Sequence, residues 1–205
     1  MNSTASLYHS KSAPLIFAFI LSLSAIGFGM SVATNPIEGL HLAARYTARA
    51  GLPVFLLTYA ASSLVILWPN AITQSLMRHR YQWAMGFVLT HTIHLVTFLV
   101  FLHVSGMTEP DFIVRGGIVG YILLYGMALT SSDSAKRVMG KWWKRLHRLG
   151  IHLLWFMFTM TYFSRLSDPE WGMWSLPLFL PCFAALCLRI AARVISSEME
   201  SKETL

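Results

Sequence analysis

Charge is scarce in this chain. Only 12% of its 205 residues are charged, while 55% are hydrophobic. A soluble domain carries about twice that charged share, so an ordinary water-soluble globule is excluded. The shortage is concentrated in long apolar blocks, the pattern of a membrane solvent. Cysteine is scarce too, with Cys182 and Cys187 alone. Five positions apart on one helix they fall on poorly matched faces, which excludes an intrahelical disulfide and leaves small buried thiols as the reading. No Gly-x-Gly-x-x-Gly element flanked by strand and helix is present, which excludes a built-in dinucleotide domain. The apolar blocks do not alternate with polar residues and are too long for barrel strands, which excludes a transmembrane β-barrel.

Six apolar blocks are present, at roughly 14–32, 52–68, 83–104, 112–130, 151–163 and 174–195. The fifth reaches the length of about 20 residues needed to span a bilayer if it starts at His147. The pattern predicts an all-α membrane protein with six transmembrane helices. A tail at 1–13 and a tail at 196–205 flank one membrane domain at 14–195. The first block has a weak small-residue cleavage pattern at Gly27, Gly29 and Ala33, and it is read as a retained helix rather than a signal peptide. Residues 38–49 have an amphipathic pattern suited to the outer surface, and Gly51-Leu52-Pro53 is read as the start of the second span. Tyr162, Trp171 and Trp174 are read as part of an outer aromatic belt.

The net charge of +7 would suggest nucleic acid in a soluble chain. Here the cations flank apolar blocks, so membrane lipid and not nucleic acid is the expected contact. Lys11, Arg78, Arg80, Lys136, Arg137, Lys141, Lys144, Arg145, Arg148, Arg189, Arg193 and Lys202 fall on one side of six crossings. Arg45, Arg49, Arg115 and Arg165 fall on the other. The positive-inside rule then places both termini in the cytoplasm. It also makes the third and fifth segments parallel.

Histidine carries the chemical signal. Of eight histidines, His91 and His94 lie in the third block, and His147 and His152 at the start of the fifth. Ionisable groups at membrane depth are costly and usually have a partner or a task. Imidazole is a good axial ligand for haem iron. No Cys-x-x-Cys-His sequence is present, so any haem would be b-type. His91 and His94 share a helix face, so they cannot approach one iron from opposite sides. If Arg80 and His147 start their helices at one level, His94 and Met160 share a depth. His152 is then about 13 Å shallower than His94 at a rise of 1.5 Å per residue. The plainer reading is that these imidazoles hydrogen-bond between helices.

Thr130-Ser131, Arg137, Gly140-Lys141, Trp143 and Leu146-His147 form a spaced motif. It resembles the central motif of the ferric-reductase-like transmembrane domain family, and within it the haem-binding membrane subunits of bacterial methionine sulfoxide reductase systems. Arg80 followed by His94 resembles the third-helix pattern, and Thr47 and Arg49 weakly resemble the second-helix entry. The resemblance covers about residues 37–165. It implies a multi-pass protein of the bacterial inner membrane that carries one b-type haem. Its electrons would come from quinol or a reductase protein and pass to an acceptor protein such as a periplasmic reductase. Such a chain is an electron-transfer subunit of an oxidoreductase system, with a quinone as a second ligand. By this resemblance His94 and His147 are the iron ligands. Arg80 stands where fuller family members have a further histidine. The outer histidine expected in the fifth helix falls at Met160, and His91 and His152 are additional candidates for a rearranged site. A haem-free membrane scaffold or assembly protein, or a small transporter using the intramembrane histidines, are the alternatives.

Overall fold

A computed structural model of the chain describes residues 12–108, 111–169 and 172–203. Trp171, read above as part of an aromatic belt, and Lys11 lie outside the described residues. The described part is all-helical. Its eight helices are α1 (Ala13–Ser31), α2 (Pro36–Leu67), α3 (Ala71–Arg78), α4 (Arg80–Ser105), α5 (Asp111–Leu129), α6 (Asp133–Met139), α7 (Lys141–Phe163) and α8 (Gly172–Glu203).

The expectation of six transmembrane helices is corrected to four. By length and composition, α1, α2, α4 and the Gly172–Met199 part of α8 can cross a membrane. The fourth block yields α5, 19 residues long, in which the apolar stretch among the described residues is Gly116–Leu129. The fifth block belongs to a longer helix, but α7 opens with Lys141, Lys144, Arg145 and Arg148 and also carries His147 and His152. Those polar groups lower its hydropathy below that of a spanning segment. With four crossings both termini still share a side, but the cations at 136–148 fall on the opposite one, so the charge asymmetry no longer assigns the termini to the cytoplasm.

The centre of the bundle is α2. Its apolar window is 56% buried, against 28% for α1, 28% for α4 and 17% for α8. It packs mainly on α4, α1 and α8. Its start is set by Asn35, whose side chain accepts from the Glu38 amide at 3.0 Å, and by Pro36 in the first turn, where a missing N–H costs nothing. Glu38 Oε2 accepts from the Thr34 amide at 2.8 Å. The sequence reading broke this helix at Gly51-Leu52-Pro53 and laid 38–49 along the surface. Instead α2 runs unbroken, with Pro53 inside it. Close packing by neighbouring helices is what makes an interior proline tolerable.

Small residues set the helix spacing. On α1, Pro14, Ala18, Ser22 and Gly29 face inward, while Ile16, Phe19, Ile20 and Leu23 are about half exposed. Gly29 lies directly on the backbone of Leu42 and Ala43, with no room for a Cβ. Gly106 ends α4 at φ 66°, the left-handed stop that favours glycine. The Ser132 hydroxyl accepts from the Ala135 amide at 3.1 Å and caps α6.

The core joins α2, α4, α5, α7 and α8 through Val54, Phe55, Tyr59, Phe87, Leu124, Leu154 and Ala185. Tyr162 is buried in a second cluster with Leu52 and Cys182, so it does not belong to an aromatic belt, whereas Trp174 is 64% exposed. Both cysteines are free, Cys182 buried and Cys187 exposed; only the first is a buried thiol.

Candidate functional site

α4 places its two histidines in the bundle interior. The ring of His91 packs on Phe87 at 4.3 Å and on Phe158 of α7 at 5.4 Å between centroids. Phe158 also lies 6.0 Å from Phe87, so it bridges α7 to α4. Gly51 of α2 stands against the His91 imidazole and leaves no room for a Cβ there. The Tyr121 hydroxyl donates to the His91 carbonyl at 3.0 Å. His94 lies one turn on, its ring centroid 5.9 Å from that of His91.

The partners of the His94 ring assign its tautomer. Thr47 Oγ1 is 3.3 Å from His94 Nδ1 and 2.9 Å from the carbonyls of both Ala43 and Ala44. With the single hydroxyl proton of Thr47 given to a carbonyl, His94 Nδ1 supplies its own proton to Thr47 Oγ1. Nε2 is then unprotonated, the state in which an imidazole binds a metal while its other nitrogen is held. The Nδ1 of His152 is 3.2 Å from the Tyr59 hydroxyl, a side-chain partner on a neighbouring helix that can either donate or accept.

His147 belongs to a clasp between α5 and α7. Its Nε2 is 3.2 Å from Thr130 Oγ1, which donates to the Gly126 carbonyl at 2.6 Å. Trp143 stacks on the ring at 4.3 Å and donates Nε1–H to the Thr130 carbonyl at 2.8 Å. Burial, then the positive charges of Lys136 and Arg80, hold His147 below its ordinary pKa. Thr130, Trp143 and His147, three members of the spaced motif, therefore form one contact unit.

A cavity of about 270 Å³ opens beside this clasp. Phe55, Phe87, Leu124 and Leu154 form an apolar wall, and Arg80, Ser131, Lys136 and His147 supply the polar part. Arg80 Nε donates to the Thr58 carbonyl at 3.1 Å, and Arg189 of α8 donates to the next carbonyl, Tyr59, at 2.9 Å.

The five candidate ligands do not converge. His91 and His94 are together on α4, His147 lines the cavity, His152 is bound to Tyr59, and Met160 is 38% exposed. Among the described residues no group of three potential metal ligands exists. Neither of the two cavities described is lined by His94 or Met160. Thr47, Gly51 and Tyr59 are the residues that sequence reasoning missed as partners of the histidines. Only Thr47 carried a signal, as part of the weak second-helix resemblance.

Fold and site together define a multi-pass helical membrane protein with imidazoles held in its interior. No family model matches the chain, and no solved structure matches it. A distant relative is the protein-methionine-sulfoxide reductase heme-binding subunit MsrQ of Pasteurella multocida (strain Pm70), which is 29% identical over 129 residues. The match covers 57% of this chain and 62% of that protein, so the chain spans less than two thirds of its relative's length.

Proposed function

We propose that this chain is an electron-transfer protein of the bacterial inner membrane that holds one b-type haem through His94. The observation that carries this reading is the Thr47–His94 contact, which leaves Nε2 as an unprotonated donor inside the bundle. The relative's name, a heme-binding subunit, agrees with it. When bound, the haem supplies a one-electron iron couple within the membrane. Thr47 orients the ligand ring, which packs between the rings of His91 and Phe98. The cavity at Arg80 and His147 suits a quinol ring, with the apolar wall against its face and Arg80 and Ser131 near its oxygens. His147, held neutral, is the base at hand for a quinol proton. Electrons then leave to a partner protein, for which a periplasmic reductase is the leading candidate.

A second reading, a haem-free scaffold, is favoured by the missing donor opposite His94, since Met160 is turned to the surface. One measurement separates the two. The dithionite-reduced spectrum of the gently purified chain should show a b-haem band that His94→Ala abolishes. A folded chain, supplied with haem during expression, that lacks the band would establish the scaffold instead.

A further inference from the structure

A second cavity, of about 250 Å³, lies between the ends of α2 and α8, away from the histidines of α4. Its polar lining is Ser62, Ser63, Arg189, Arg193, Ser196 and Ser197. No carboxylate lines it, and among the described residues neither arginine is paired with one. Arg189 and Arg193 are four apart on α8, with Ser196 and Ser197 on the next turn, so all four share one helix face. Two like charges at that spacing destabilise a helix unless an anion lies between them. Arg189 spends one N–H on the Tyr59 carbonyl and rests 4.5 Å over the Tyr59 ring, which fixes it while leaving further donors of its guanidinium. Ser62 and Ser63 have no hydrogen-bond partner among the described residues.

Two guanidinium groups and the unpartnered hydroxyls of Ser62 and Ser63 around a roomy cleft are the chemistry of phosphate recognition, while Ser196 and Ser197 donate to the Ala192 and Val194 carbonyls of their own helix. The position names the source of the phosphate. The cleft sits where two spanning helices end, its lining includes Ile66, 43% exposed, and Ile190 and Val194, the residues that follow Arg189 and Arg193 on α8, are 54% and 50% exposed. A headgroup seated there would lay its acyl chains along that apolar face. We propose that this cleft is a binding site for the phosphate of an anionic phospholipid.

The test uses the full chain in nanodiscs of mixed phosphatidylglycerol and phosphatidylcholine, released and weighed by native mass spectrometry. The native chain should retain phosphatidylglycerol selectively. Arg193→Gln should lower the retained fraction about tenfold, the scale of one lost charge-assisted contact. Arg145→Gln, which removes an equal charge outside the cleft, should leave it unchanged. Ser62→Ala with Ser63→Ala, which keeps every positive charge, should lower it less but measurably, and covers the case in which Arg193→Gln does not fold. Equal loss in Arg193→Gln and Arg145→Gln would reduce the effect to bulk charge and overturn the site. So would equal retention of both lipids by the native chain. Thermal protection by inorganic phosphate in phosphatidylcholine-only discs, matching that of phosphatidylglycerol, would assign the cleft to a soluble anion and overturn the lipid source.

Discussion

The imidazole of His91 occupies the space that a side chain at position 51 would need. Gly51 is a buried glycine of α2, and the ring of His91 from α4 lies against its Cα. The two helices approach closely here because one of them has no side chain.

Gly51→Ala should therefore displace His91 and cost about 1–3 kcal/mol, the usual penalty of overpacking. Gly27→Ala is the matched control, since nothing lies within 4 Å of a Cβ there. Thermal unfolding of both variants in detergent checks this, and equal midpoints would refute the crowding at position 51.

Thr47→Val keeps the shape of the side chain and removes the hydroxyl that holds His94 Nδ1. Haem retention should fall by roughly 10- to 100-fold, the range for losing a group that orients a metal ligand. Haem occupancy after dilution, measured beside His94→Ala, gives the comparison. A Thr47→Val chain as fully loaded as the native one would separate the hydroxyl from the ligand.

Met160→Ala should leave the reduced spectrum unchanged, because Met160 is 38% exposed. Leu154→Ala on the same helix should cost about 2–5 kcal/mol, since Leu154 is only 6% exposed and sits in the central cluster. A spectral change in the first variant would restore methionine as a ligand.

Tyr59→Phe should cost about 0.5–1.5 kcal/mol through loss of the contact with His152. The coupling belongs to the pair, so a double-mutant cycle with His152→Ala should show a non-zero interaction energy. Additive losses would mean that the two side chains do not share a proton.

Much of the scaffold was readable because the apolar blocks are long. α4 extends its block by three residues at the start and one at the end, and α1 matches its block to within one residue. α2 was misread because Pro53 looked like a helix start. The stronger start signal was Asn35-Pro36 with Glu38 close behind, the signature of a capped first turn. The count of crossings was misread because an apolar block does not show which polar residues share its helix. α7 is the case in point, where Lys141, Lys144, Arg145 and Arg148 open the helix that carries the fifth block. At the site, the spacing of Thr130, Trp143 and His147 reported a real contact unit. The Tyr59–His152 pair was illegible, because nothing in one sequence links positions 93 apart.

Arg80 and Arg189 grip consecutive carbonyls of α2, those of Thr58 and Tyr59, from two different helices. Mechanically they act as two bolts through one mast. A tilt of α2 drags α4 and α8 along with it, so these three helices behave as a single stiff chassis. Trp155 Nε1 of α7 donates to the Cys182 carbonyl of α8 and so ties α7 to this chassis, while α5 packs mainly on α7. The clasp of Thr130, Trp143 and His147 lies between α5 and α7, and it is there that strain from a docking partner would be felt first.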